Sequence, residues 1–457
     1  MGGARSDISE PRLAALLERE RSEFAASNPK SAAAFAAAGA NLWTGVPMSW
    51  MAKWPGGFPL SMAGAHGARL FDIDGHEYVD FCLGDTGAMA GHSPQALAAA
   101  IEQRVAVDGG ITTMLPTDDA TWVAGELARR FGLPQWSFTL SATDANRFIL
   151  RKARQVTGRP YVLVFSWCYH GSVDESFVVC GDGDAAKSRP GNVGPAVDPA
   201  TTTRVCEFND LAAVERLLAD RQVACVLFEP AMTNIGIVLP EPGFIEALRE
   251  LTRATGTLLI ADETHTISAG PGGCTAAWGI DPDIVTIGKS IGGGVPIGAF
   301  GMSDEFAARL LAEEDADYVD TGGVGGTLAG NALSLAAAKA TLGEVLTDDA
   351  FARMIELGGR FADGVDEVLE RHSAPWICVR LGARAEYRFV STPPRNGGES
   401  AAGADERLDE WFHLYMLNRG LVMTPFHNMA LVSPATTADD VDLHTRLFND
   451  AVAEVLG

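Results

Sequence analysis

Positive charge is scarce in this 457-residue sequence: 35 Lys and Arg stand against 59 Asp and Glu, a formal net charge of -24. A field of that sign repels phosphate backbones and anionic lipid surfaces, so neither nucleic acid nor a membrane is an expected partner. Cysteine is also sparse. The seven cysteines, at 82, 168, 180, 206, 225, 274 and 378, are odd in number, form no CxxC pair and sit mostly in apolar stretches. Neither a disulfide framework nor a metal site is expected, and the natural reading is a reduced, cytoplasmic compartment. No apolar run reaches the roughly 18 residues of a spanning helix. The Ala-rich stretch from Ser31 to Ala40 is too short, and residues 1–24 interleave acids and bases without the apolar centre of a signal peptide. What is present is a 47% hydrophobic fraction, which excludes a disordered chain and supports a large core without staples.

Residues 7–36 have helix-forming composition with mixed charge and predict one or two surface helices. The next segment, NLWTGVPMSWMAKWPGGFPLSM, crowds three tryptophans and three methionines between Pro and Gly breaks, so it is not one regular helix. ARLFDIDGHEYVDF alternates apolar and polar residues around Asp74-Gly75, the pattern of a hairpin. From about residue 97, helices alternate with short apolar strands at Tyr161–Ser166, Val223–Phe228, Thr257–Ala261 and Asp283–Ile287; amphipathic helices are predicted at Asp210–Ala219 and Phe244–Thr255, the latter capped by Gly256. Repeated βα order predicts an α/β fold with a mainly parallel sheet, whose ligands bind beyond the carboxyl ends of the strands. Past GGVGGT, an Ala-rich helix runs from Asn331 to about Val345. Strands are predicted at 376–381 and 421–424, and Pro393–Gly403 reads as an exposed loop.

Two stretches imitate nucleotide motifs. Ile287-Gly288-Lys289-Ser290 resembles the end of a P-loop, but the required earlier glycine is Asp283. Gly181–Ala186 matches a degenerate dinucleotide fingerprint, yet LysSerArgPro follows where a helix must start. More purposeful are the strand ends. Asp262 closes the apolar run TLLIAD, and Lys289 follows another such run just ahead of three glycines; each is either a ligand-facing group or an ordinary charged strand terminus. LSATDA, containing Ser141, Ala142 and Thr143, opens a helix, and such a start either binds an anion or is a simple N-cap. Tyr169 in FSWCYHG either packs in a core or stacks on a planar cofactor. A reactive lysine, a carboxylate, an aromatic ring and an anion-binding helix start are together the parts that pyridoxal 5'-phosphate needs.

From about Phe35 to the C-terminus the sequence resembles the class III, fold-type-I aminotransferases, in the branch of glutamate-1-semialdehyde aminomutase and the β-amino-acid aminotransferases. The blocks that carry this are DIDGHEYVDF, GHSPQAL, LSATDA, FSWCYHG, FEPAMTNIGIVLPEPGFIEALRELTRATGTLLIADE, TIGKSIGGGVPIGAFG, GGTLAGN and LVSPATT. The resemblance implies a large cofactor domain over 76–335, a small α+β domain over 336–457, and an N-terminal segment, 1–75, packed with the small domain and the interface. It implies Lys289 as the Schiff-base lysine, Asp262 as partner of the pyridine nitrogen and Tyr169 as the stacking ring. It further implies that Ala142 and Thr143 hold the phosphate, joined by Thr327 from the other subunit of a homodimer with a shared site. The implied activity is transfer of an amino group from an amine, ω- or β-amino acid to a keto or aldehyde acceptor, with intramolecular aminomutation as the alternative and a non-catalytic cofactor-binding protein as a remote one.

The chain departs from the family at Ala142 and Asp144, where glycine and glutamate are usual, at Thr264, where valine is usual, and at His265, which is either an added hydrogen-bonding group or a structural histidine. An arginine common near Gly39-Ala40-Asn41 is missing; Trp43 and Trp54 stand in that region as pocket or packing residues, and Arg384 and Arg388 are candidates for binding a substrate carboxylate instead.

Overall fold

The computed structural model describes residues 8–182, 185–312 and 322–457. The dinucleotide-like stretch at Gly181–Ala186 includes two residues, 183 and 184, outside that set. The chain divides into two units, one of Gln95–Phe351 with Pro394–Ala401 and one of Met1–Pro94, Ala352–Pro393 and Ala402–Gly457.

The unit built around Gln95–Phe351 holds a seven-stranded sheet in the order Gln135–Thr139, Gly298–Met302, Ile284–Ile287, Leu258–Asp262, Val223–Phe228, Tyr161–Phe165, Thr203–Cys206. The last five of these run parallel to one another, and Gly298–Met302 is antiparallel to both neighbours. Every residue of VACVLF and LLIAD is buried, as strands covered on both faces require. The helix Ala142–Thr157 lies against the strands and turns Ala145, Asn146, Ile149, Leu150 and Ala153 inward. Phe244–Thr255 ends where Gly256 adopts a left-handed φ of 68° and its N–H returns to the last turn. Because five strands are parallel, the residues that follow Phe165, Asp262 and Ile287 emerge at one edge of the sheet.

Two expectations are corrected here. Pro393–Gly403 is not an exposed loop: Gly397–Ala402 is helical, and Gly397 and Ser400 are buried. A Cβ at Gly397 would collide with the Ser166 carbonyl, the Gly398 N–H donates to Glu207, and Ser400 Oγ donates to the Ile235 carbonyl. Small residues are there to permit close approach rather than to confer solubility. The sheet also contains two strands, Gln135–Thr139 and Gly298–Met302, absent from the strands expected of the sequence.

In the second unit, the hairpin Arg69–Asp72/Glu77–Asp80 forms around Asp74-Gly75 as expected and extends to a four-stranded sheet with Met62–His66 and Leu421–Val422. A separate antiparallel sheet joins Ile377–Leu381, Arg384–Arg388 and Met429–Leu431. The first helix, Glu10–Ser27, is more than a surface helix, since Leu13, Leu17 and Phe24 are buried. Leu13 and Leu17 join a core with Phe81, Phe361, Trp411 and Phe412. Pro29 opens the second helix and breaks it from the first at Asn28. The Trp-rich segment forms two 3-10 turns, Trp43–Gly45 and Ser49–Lys53. Among the described residues no helix is long and apolar enough to cross a membrane.

Candidate active site

Three strand ends and one helix start converge at the carboxyl edge of the seven-stranded sheet. Asp262 is the last residue of its strand and pairs in register with Thr286 of the neighbouring strand, two residues before Gly288-Lys289. Gly288 presses against the first helical residue, Ala142: a Cβ there would lie 2.9 Å from the Ala142 nitrogen. Gly171, two residues beyond Tyr169, has φ of 81° and abuts Thr143, whose Oγ1 accepts a 3.3 Å hydrogen bond from the Ser172 N–H. His170 then reaches Asp262. Ala142 and Thr143 are thus in contact with the segments that carry Gly288-Lys289 and Tyr169–Gly171, and His170 ties the latter to Asp262, all within a single unit.

Asp262 is buried, and its carboxylate is densely held. Oδ2 accepts from His170 Nδ1 at 2.9 Å and from Asn146 Nδ2 at 2.8 Å, while Oδ1 accepts from the Thr264 N–H at 3.1 Å. Burial pushes the Asp262 carboxyl up, but the hydrogen bond and charge of His170 outweigh it and hold the pKa below the usual carboxylate value. For His170, burial opposes a charge, yet neighbouring Cys168 and the bonded Asp262 carboxylate raise it well above the usual imidazole range. Each partner thus favours the charged form of the other across the 2.9 Å contact. Lys289 Nζ lies 2.9 Å from His265 Nε2.

Ser141 caps the helix, its Oγ accepting from the Asp144 N–H at 3.2 Å and donating to Asp144 Oδ2 at 3.1 Å. The first-turn amides of Ala142 and Thr143 have no carbonyl four residues back to bond, so they and the helix dipole are available to an anion. Thr264 Oγ1 is buried and has no hydrogen-bond partner of acceptable geometry among the described residues. Such an orphan beside an ionised carboxylate, an amine and an open helix start fits a flat, polar, phosphate-bearing group, and the residues present therefore suit pyridoxal 5'-phosphate.

Of the other residues singled out from the sequence, Trp43, Trp54, Arg384 and Arg388 belong to the second unit and Thr327 to the unit of the site. Thr327 sits in an exposed turn of the same unit. Trp43 is 83% exposed. Trp54 packs instead against a cluster that includes Phe24, Tyr78 and Leu414. Arg384 is buried, donating to Thr86 Oγ1 and to Met429 Sδ, and Arg388 has Glu386 at 3.9 Å, so both guanidinium groups are engaged within the second unit.

Sequence reasoning passed over His170, Asn146 and Thr286, which fix Asp262: Thr286 Oγ1 donates to Asn146 Oδ1 at 2.7 Å, and Asn146 Nδ2 also reaches the His170 carbonyl. A signal existed for Asn146. It occupies the apolar stripe Ala145, Ile149, Leu150, Ala153, where a lone amide must have a buried partner.

The family model for class-III aminotransferases matches residues 50–451. The chain is 48% identical to a glutamate-1-semialdehyde-aminomutase from Pseudomonas aeruginosa PAO1, with 98% of this chain and 100% of that one covered and a TM-score of 0.94. It is 35% identical over 438 residues to glutamate-1-semialdehyde 2,1-aminomutase of Chloroflexus aggregans, covering 93% of this chain and 98% of that protein. A β-phenylalanine aminotransferase from Variovorax paradoxus is 28% identical, with 96% and 97% of the two chains covered and a TM-score of 0.85. With the family model spanning nearly the whole chain, and its residues including every strand end of the site, this protein belongs to the class-III aminotransferases.

Proposed function

We propose that this chain is a pyridoxal-5'-phosphate enzyme running the aminomutase variant of class III chemistry, moving the amino group of glutamate 1-semialdehyde from carbon 2 to carbon 1. The observation that carries this reading is the 48% identity, at a TM-score of 0.94 over 98% of the chain, with the Pseudomonas aeruginosa protein described as an aminomutase, for which a lysine-to-alanine variant was seen with the pyridoxamine form. When bound, the cofactor supplies an electron sink for the pair left behind as a carbon-bound proton departs.

The chain's own residues supply the rest. Asp262, kept ionised by His170, holds a proton on the pyridine nitrogen, and Asn146 with Thr286 prevents its carboxylate from turning away. Lys289 would hold the cofactor through its amine, and its Nζ would be the acid and base that takes a proton from one substrate carbon and returns it to another. The amides of Ala142 and Thr143 hold the phosphate, with Ser141 fixing the helix start that presents them. The Tyr169 ring covers the cofactor face. Thr327, in its exposed turn, reaches the phosphate of a second copy in a homodimer, which makes the site a shared one.

A second reading is intermolecular transfer from an amine, ω- or β-amino acid to a keto or aldehyde acceptor. It is favoured by one feature: residues 40–54 contain no arginine, and Trp43 is exposed among Leu42, Met48 and Trp50. Supplying glutamate 1-semialdehyde as the sole substrate separates the two. Formation of 5-amino-4-oxopentanoate, an isomer of the substrate told from it by the aminomethylene signal in proton NMR, supports the mutase; no product, together with amination of a 2-oxo acid by an ω-amine, replaces it with the second reading.

A further inference from the structure

His265 is placed with more care than a surface histidine needs. One residue past Asp262, the Glu263 N–H donates to the Thr286 carbonyl at 2.8 Å, continuing the strand pairing. The buried Glu263 carboxylate then gathers Thr266 Oγ1, the Cys274 N–H and both donors of Thr275, which locks the turn Thr266–Ala269 that His265 opens. The Ile267 N–H returns to the Glu263 carbonyl at 3.0 Å, closing that turn on both sides of the imidazole. From the facing strand end, Lys289 is held at φ of 49°, a left-handed conformation uncommon for a residue with a Cβ. Two independently fixed backbones thus bring Nζ and Nε2 to 2.9 Å. That is hydrogen-bond distance, at which one nitrogen donates and the other accepts.

We propose that His265 is the proton partner of Lys289: Nε2 takes the proton that Nζ must lose before it can act as nucleophile or base, and gives it back when Nζ must act as acid. The half-buried imidazole passes any excess proton to solvent. The inference rests on the reading of Lys289 given above.

The test begins with cofactor-free protein mixed with pyridoxal 5'-phosphate, the growth of the borohydride-reducible absorbance being followed by stopped flow. His265→Gln and His265→Ala should each slow that growth tenfold or more, because glutamine keeps a hydrogen bond yet accepts no proton, and added imidazole should restore His265→Ala. A His265→Gln variant as fast as the natural protein would reduce the contact to positioning and overturn the proposal, as would failure of imidazole to rescue His265→Ala. Lys289→Ala runs in parallel: if it still forms the reducible band, the reading of Lys289 fails on its own account.

Discussion

Gly288→Ala isolates the spacing between the lysine loop and the helix start proposed to hold the phosphate. Gly288 has φ of -157° and ψ of -145°, so no left-handed φ stands in the way of the substitution. Its effect is steric. The new Cβ would stand 2.9 Å from the Ala142 nitrogen, 3.0 Å from its Cβ and 3.3 Å from its Cα. No rotamer change can relieve this, since two of the three atoms are backbone. Reaching ordinary contact requires the Lys289 loop and the helix start to separate by about half an ångström, an overpacking that costs about 1–3 kcal/mol. For a domain of this size class each kcal/mol lowers Tm by about 2–4 °C. A misplacement of about 1 Å costs roughly a hundredfold in rate, so half of that shift should cost about tenfold in a single-turnover half-reaction. Cofactor affinity should fall with it. Gly125→Ala is the control, because nothing lies within 4 Å of a Cβ built there and its helix should gain from the exchange. A Gly288→Ala protein with unchanged cofactor affinity and half-reaction rate would refute the placement of lysine and phosphate site on opposite sides of this contact.

Lys289→Ala should lose the borohydride-reducible absorbance, and peptide mapping after reduction of the natural protein should find the label on Lys289 and no other lysine. Asp262→Asn should retain cofactor while single-turnover rates fall by orders of magnitude; near-normal rates would assign the pyridine nitrogen to another group. Because the pKa of His170 is raised, its contribution to stability is full below the unfolded imidazole value near 6.5 and is lost as pH rises through the folded value, whereas that of Asp262, whose pKa is lowered, is full above about 3.9 and is lost as pH falls through its folded value. Thermal scans of cofactor-free His170→Gln from pH 6 upward should therefore show a shallower alkaline decline than the natural protein, and an identical slope would contradict the ion pair. Trp43→Ala should leave Tm within about 1 °C, as expected for an exposed ring, and kinetics with an apolar amine and with glutamate would then report whether the tryptophan selects substrate. Thr327→Ala should weaken cofactor retention, and a competent monomer with normal cofactor binding would dispose of the shared site.

Elements with local punctuation were legible in the sequence. Phe244–Thr255 has its glycine cap, Leu211–Leu218 has Asp210 accepting from the Ala213 N–H, and Val223–Phe228 is an uninterrupted apolar run. Gly298–Met302 was not, because GAFGM has the composition of a loop. Its glycines are demanded by neighbours distant in sequence: Gly298 lies against the Ser141 backbone and Gly301 against the Trp136 ring. The site divides in the same way. Asp262 and Lys289 announce themselves as polar residues ending apolar runs, whereas the partner that steadies Asn146 is Thr286, 140 residues away, and nothing in IVTI distinguishes that threonine from any other β-branched strand residue.

The left-handed backbone at Lys289 sets stability against activity at one position. Glycine would occupy φ of 49° at no steric expense, whereas a residue with a Cβ pays on the order of 1 kcal/mol for it. Exchange to glycine would relieve that backbone and remove the amine, so on the role proposed for Lys289 a gain in heat resistance would come with a loss of turnover. Stabilising campaigns on this scaffold should hold position 289 fixed and screen for retained colour as well as for heat resistance.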